Sequence, residues 1–187
     1  MRRMSKPYGL GILVGRFQMI HAGHVSMIGK AMELCERVGI LVGSAQESGT
    51  AKNPFPYELR REMLKTLFPE ESVSVYPLPD IGIGNNSGWG EYVLRNVAER
   101  FGTAPELLVS GKETRRVDWF DGVNGASVAE LYVPKSIDIS ATRMRESLLV
   151  GDRAAWEKYT DERLWKRYEE LRALVTASAA NTKTMSI

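Results

Sequence analysis

The sequence predicts an α/β fold: a doubly wound parallel sheet with helices on both faces and further helices at the carboxyl end. Three observations predict it. Short apolar runs alternate along the chain with segments of helical spacing. The apolar runs lack polar alternation, as strands buried on both faces do. Loops rich in Gly, Ser, Thr and Asn break up the pattern.

Gly9–Val14 is the first strand. Val25, Ile28, Ala31, Met32 and Cys35 then form one stripe of a helix over Ala22–Arg37. Gly39–Gly43 is a second buried strand. Pro56–Phe68 reads as a helix, with Pro56 near its first turn. Val73–Tyr76 is a third strand. After the polar loop Gly82–Gly90, a helix over Trp89–Phe101 gathers Tyr92, Val93, Val97 and Phe101 on one side. Leu107–Val109 and Val128–Val133 are the fourth and fifth strands. Ser140–Val150 and Asp161–Val175 are the last helices. Thr176–Ile187 is small and polar and reads as a frayed tail, so a single domain is expected over residues 1–175.

Composition narrows the function classes. The chain has 187 residues, 43% hydrophobic and 26% charged, the profile of a soluble globular protein rather than a disordered or collagen-like one. Its net charge of +2 leaves room for a local basic pocket but not for a nucleic-acid coat, so no nucleic-acid partner is expected. Cys35 is the sole cysteine, which excludes an internal disulfide and a cysteine zinc cluster. No apolar run approaches the ~18 residues of a membrane span. Arg16 interrupts the apolar start before a signal peptide could be completed. The expected location is the cytoplasm, away from membranes.

Ligands in parallel sheets bind at the carboxyl ends of strands, where the strand order reverses. The turns after Val14, Val42, Tyr76, Val109 and Val133 are therefore the places to search. The first contains Gly15, Arg16 and Phe17, then His21-Ala22-Gly23-His24 at a helix entrance. A helix amino terminus is an anion site, through free N–H groups and the positive end of its dipole. In isolation the two histidines read equally as an exposed pair. A zinc site would need further ligands, and the chain holds no other histidine. The last turn leads into Ile139-Ser140-Ala141-Thr142-Arg143-Met144-Arg145, a second helix start, with Ser140 as N-cap. Two such starts in one α/β chain favour a polyphosphate held between them.

The HxGH turn, His21 to His24, paired with the ISxTxxR-like stretch Ile139 to Arg145, resembles the nucleotidyltransferase superfamily, whose fold is Rossmann-like. Gly43-Ser44-Ala45-Gln46-Glu47-Ser48, Asn53-Pro54-Phe55, Arg60, Asp80-Ile81, Asn86, Trp89, Val109-Ser110-Gly111, Gly151-Asp152 and Trp156 are similar to the archaeal-type nicotinamide-nucleotide adenylyltransferases. The likeness runs from Gly9 to Trp156. Met19-Ile20 stands where that family has Pro-Phe, and the stretch Gly82 to Gly88 is longer than its usual loop.

The resemblance implies adenylyl transfer from ATP to nicotinamide mononucleotide (NMN), giving NAD and pyrophosphate. It implies that His21, His24, Arg16 and Arg145 are catalytic. Gly15, Arg16, Phe17, His21, Gly23, His24, Ser110, Gly111, Ile139, Ser140, Thr142 and Arg145 would bind ATP. Arg60, Asp80, Ile81, Asn86 and Trp89 would bind the acceptor, with Arg60 on phosphate. An indole such as Trp89 stacks favourably on a cationic pyridinium, by roughly 0.5–2 kcal/mol; the alternative for Trp89 is an anchor in the core. Mg²⁺ is expected, held mainly through the ATP phosphates and water. The partners are ATP and NMN, with a homo-oligomer implied by the family's habit of assembling into rings. Two competing readings stand beside this one. The chain could be an adenylyl- or cytidylyltransferase of the same superfamily acting on another acceptor, such as nicotinic acid mononucleotide, phosphopantetheine or riboflavin phosphate. The chain could also be a nucleotide sensor without turnover.

Overall fold

The structure, a computed structural model, describes residues 5–84, 86–111, 119–120, 123 and 127–184. Five strands form one parallel sheet: β1 (Tyr8–Gly15), β2 (Cys35–Gly43), β3 (Val73–Leu78), β4 (Leu107–Ser110) and β5 (Ala129–Tyr132). Their order is β3-β2-β1-β4-β5, and every neighbouring pair is parallel. The chain winds outward from β1 to β3, then crosses back to continue from β4. The strand order therefore reverses between β1 and β4, which opens a crevice at their carboxyl ends.

The apolar runs serve two cores at once. Leu10 and Ile12 of β1, Leu41 of β2 and Leu108 of β4 pack with Val93, Val97, Trp89 and Trp119 on one face. Leu13, Val38, Ile40, Val42, Leu107 and Val109 face the opposite core. Alternate side chains thus leave the sheet in opposite directions, and neither set tolerates polarity. The helix α3 (Ser87–Phe101) covers the first face. Helices α1 (Ala22–Leu34), α2 (Tyr57–Leu67), α4 (Ala141–Val150) and α6 (Tyr168–Thr184) contribute to the second. The fit under α3 is close: a Cβ on Gly90 would lie 1.4 Å from the carbonyl oxygen of Trp119, so only glycine serves there.

Three boundaries differ from expectation. Cys35 belongs to β2 rather than to the stripe of α1, and the strand follows the helix with no loop between them. Lys6 makes this junction work: its Nζ donates to the carbonyls of Met32 and Cys35, at a helix end that has no basic residue of its own. The predicted helix Asp161–Val175 divides into a 3₁₀ turn (Glu162–Arg167) and α6. The residues expected to fray continue α6 to Thr184, because Leu171, Val175 and Ser178 keep a buried stripe going. A short helix, α5 (Arg153–Glu157), went unforeseen; at five residues it has too little periodicity to register.

Candidate active site

At the crevice between β1 and β4 lies a cavity of about 550 Å³. The turn from β1 to α1 forms its floor. In this turn Phe17 (φ 51°) and Met19 (φ 150°) adopt backbone conformations rare for side-chain-bearing residues, as does Ser44 (φ 47°) just past β2. Such conformations cost roughly 1–3 kcal/mol each and persist where the surroundings enforce them. Here the enforcement is visible. The Gln18 amide pairs with the backbone of Phe55 in both directions, accepting from its N–H at 2.9 Å and donating to its carbonyl at 3.1 Å. Arg145 Nη1 donates to the carbonyl of Gln18 at 3.0 Å.

Arg60 completes the framework. It is fully buried, and its guanidinium donates to the carbonyls of Arg16 (2.8 Å), Gly43 (2.8 Å) and Ser44 (3.1 Å), tying the ends of β1 and β2 together. Burial pushes its pKa down to about 10, so it stays charged at neutral pH. It does not line the cavity. The expected phosphate-binding role therefore fails on geometry: the donors are spent on carbonyl oxygens of the strand ends.

Helix α1 begins at His21, which occupies the N-cap position without a side-chain cap, and the first turn carries no acidic residue. The Ala22 N–H is taken by the carbonyl of Tyr159 at 2.9 Å, so the segment after α5 braces the helix start. His21 and His24 lie side by side, ring centroids 3.9 Å apart, with Phe17 5.0 Å from His24. Both Nδ1 atoms are enclosed and have no hydrogen-bond partner among the described residues. An enclosed lone pair is cheaper to leave unpaired than an enclosed N–H, which favours a proton on each Nε2. Burial, aided by the charge of Lys135, lowers His21 to about 4. Burial and the neighbouring His21 push His24 well below its ordinary value. The pair is neutral at pH 7.

A stability prediction follows from that neutrality. The folded pKa of His21 is below the unfolded one, so the unfolded chain binds more protons between about pH 6.5 and 4. Stability conferred by the neutral imidazole is full above pH 6.5 and lost as pH falls toward 4. His21 alone contributes about 3 kcal/mol to that loss, and His24 acts in the same direction. Denaturant melts of the ligand-free protein at pH 7, 5.5 and 4.5 check this, with a His21→Asn variant expected to flatten the profile.

The opposite wall is the start of α4. Ser140 Oγ accepts from Arg143 N–H at 3.3 Å, and Arg145 Nη2 donates to Thr142 Oγ1 at 3.3 Å. The end of β4 supplies Ser110 and Gly111. A Cβ on Gly111 would approach Met27 Sδ to 2.5 Å, so glycine keeps this wall against α1. Toward β3, Asp80 lines the cavity and accepts from Ser44 Oγ at 2.6 Å, while its backbone exchanges hydrogen bonds with the Gln46 amide.

The cavity thus brings together Gly15, Arg16, Phe17, His21, Gly23, His24, Ser110, Gly111, Ile139, Ser140, Thr142, Arg145, Asp80 and Trp89. Ile81 and Asn86 do not line it. Ile81 is exposed. The Asn86 side chain caps α3, accepting from Trp89 N–H at 3.1 Å and donating to the Ile83 carbonyl at 2.7 Å. Trp89 is both wall and core: only 8% exposed, it packs edge-on to Trp119 and tilted against Tyr92. Lys52 and Lys135, absent from the expected set, also line the cavity. Lys135 falls in the turn after β5, one of the turns marked for search, but a lone lysine there carries no pattern.

Four cations, Arg16, Lys52, Lys135 and Arg145, face one carboxylate, Asp80, among the described lining residues. The described lining therefore carries an excess of positive charge. Among the described residues no three His, Cys, Asp or Glu side chains cluster as metal ligands. None of the described helices is long and apolar enough to cross a membrane.

A family model described as cytidylyltransferase-like matches residues 12–147. The nicotinamide-nucleotide adenylyltransferase of Pyrococcus furiosus is 31% identical over 170 residues, spanning 88% of this chain and 85% of its own length. That of Thermococcus kodakarensis is 30% identical, over 79% of this chain and 76% of its own. Among solved structures, a bifunctional NMN adenylyltransferase/ADP ribose pyrophosphatase from Francisella tularensis, complexed with AMP and a Mn ion, superposes with a TM-score of 0.73 at 20% identity. It covers 96% of this chain, which spans about half (54%) of that longer one, and at this identity the likeness speaks for the fold alone. The chain belongs to the cytidylyltransferase-like family and, within it, to the nicotinamide-nucleotide adenylyltransferases.

Proposed function

We propose that the cavity binds ATP between the starts of α1 and α4 and transfers its adenylyl group to NMN, releasing NAD and pyrophosphate. The observation that carries this reading is the pairing of two helix starts, neither bearing an acidic residue in its first turn, across one cationic cavity. The acceptor's 5′-phosphate is ionised at neutral pH and needs no general base. One of its oxygens bonds to the α-phosphorus as the α–β phosphoanhydride bond breaks, and pyrophosphate leaves with that electron pair. Catalysis consists of positioning and charge stabilisation.

His24 donates Nε2–H to the α-phosphate, where charge accumulates in the transition state. His21 and Arg16 hold the outer phosphates, and Arg145, fixed to the β1–α1 turn through Gln18, holds the same leaving group. Ser110, Gly111 and Ile139 flank the adenosine. Lys52, in the loop after β2, takes the phosphate role that Arg60 cannot fill. A divalent ion such as Mg²⁺ would supply charge neutralisation at the triphosphate when bound, beside Arg16, Lys52 and Arg145 of this chain. Trp89 supplies an aromatic wall for the nicotinamide ring. Asp80, the sole described carboxylate in the lining, repels a carboxylate on that ring and favours the amide.

A panel of acceptors with Mg-ATP tests the reading. NMN is expected to release pyrophosphate and form NAD, with nicotinic acid mononucleotide turned over less efficiently. Phosphopantetheine and riboflavin phosphate should be inert. Tight ATP binding with no pyrophosphate release from any acceptor would identify a sensor instead.

A further inference from the structure

The cations Arg16 and Arg145 are tied into the framework of the site; Lys135 is not. Arg16 Nη1 donates to Asn53 Oδ1, and Arg145 is fixed to Gln18 and Thr142. Lys135 lines the cavity from the connection between β5 and α4, is exposed, and makes no hydrogen bond or ion pair to a described residue. Its backbone is well placed. Val133 N–H donates to the Ser110 carbonyl at 2.8 Å, and Pro134 stiffens the exit from β5. Four residues on, Ile139 is buried, and Ser140 opens α4. Asp138 is spent elsewhere, in an exposed ion pair with Arg143 at 2.7 Å, and does not line the cavity. Among the described residues the lysine is therefore an unpaired ammonium at the mouth of a cationic cavity, on a long stem that can follow a moving group.

We propose that Lys135 is a binding residue for the leaving pyrophosphate, engaging the β- and γ-phosphates of ATP and retaining them as the α–β bond breaks. The side of the cavity it serves follows from its neighbour. Lys135 leads into the start of α4, where Arg145, assigned to the outer phosphates in the proposed arrangement, donates to Thr142, and His21 lines the same cavity. Lys135 makes the site reward a triphosphate over shorter nucleotides. This assignment rests on the adenylyl-transfer reading only for the identity of the nucleotide, because a cationic pyrophosphate subsite can be tested without turnover.

The probe is inorganic pyrophosphate with Mg²⁺, titrated calorimetrically into wild type, Lys135→Ala and Lys135→Arg. The alanine variant is expected to bind pyrophosphate about tenfold more weakly, equivalent to about 1.4 kcal/mol, and the arginine variant to recover most of that loss. The difference should shrink as salt rises. In steady-state assays the KM for ATP should rise several-fold in Lys135→Ala, with the KM for NMN and the melting temperature unchanged. Pyrophosphate affinity within twofold of wild type, or no measurable binding by wild type, overturns the proposal. So does a rise confined to the KM for NMN, which would move Lys135 to the acceptor. If wild type bound pyrophosphate through Lys135 yet made no dinucleotide, the subsite would stand and the adenylyl-transfer reading would fall.

Discussion

Replacing His24 with alanine is expected to lower kcat by about 10²–10³, the loss typical of one hydrogen-bond donor aimed at charge that develops in the transition state. The expectation rests on three features. The imidazole sits at the start of α1, against His21 and Phe17. It is held neutral by burial and by its neighbour, so it acts as a donor rather than as a cation. Its Nδ1 is enclosed without a hydrogen-bond partner among the described residues, which directs the proton to the other nitrogen. Because the interaction strengthens only as the α-phosphorus is attacked, the Kd for ATP should change by less than about threefold. Stopped-flow single-turnover rates and equilibrium ATP binding separate these quantities. Equal losses in both would make His24 a ground-state ligand only.

Arg60→Met should be the most destabilising single change at the site, costing about 3–5 kcal/mol. Methionine occupies similar space, but the carbonyls of Arg16, Gly43 and Ser44 lose their donors. Buried acceptors left unpaired cost about 1–3 kcal/mol each, and the strained backbone at Phe17 and Ser44 loses its brace. For a chain of this size the melting temperature should fall by roughly 10 °C. Were Arg60 a phosphate ligand instead, the variant would melt normally and show only a raised KM for NMN. Thermal denaturation together with KM at a permissive temperature distinguishes the two cases.

Arg60 also shows what a sequence conceals. Its carbonyl partners come from the ends of two strands and the turns that follow them, and only the assembled sheet brings them to one point. In the sequence, Arg60 has only the phosphate-binding role that the resemblance implies, and nothing in it points to these carbonyls. Asn86 is similar: its cap on α3 satisfies both ends of an amide that seemed free for a ligand. The cavity-lining residues of the two helix starts were legible for the opposite reason. A glycine, an arginine and two histidines between a buried strand and a helix form a local pattern, and so does a serine-capped helix start following Pro134. Local patterns survive in one dimension. Lys52 and Lys135 have none, since a lone lysine in a polar loop looks the same whether or not the chain folds a cavity beneath it. The carboxyl end of α6 was hidden by small residues: Ser178 is buried by its position on the stripe, not by its polarity.

The two helix starts are expected to bind a triphosphate so that its α-phosphorus, and no other, is attacked. Parallel reactions with ATP labelled at the α- or the γ-phosphate test it most directly. With NMN and Mg²⁺, the α-label should appear wholly in the dinucleotide and the γ-label wholly in pyrophosphate. A γ-label found on the acceptor, with the α-label left in ADP, would mean phosphoryl rather than adenylyl transfer and would overturn this assignment of the two helix starts.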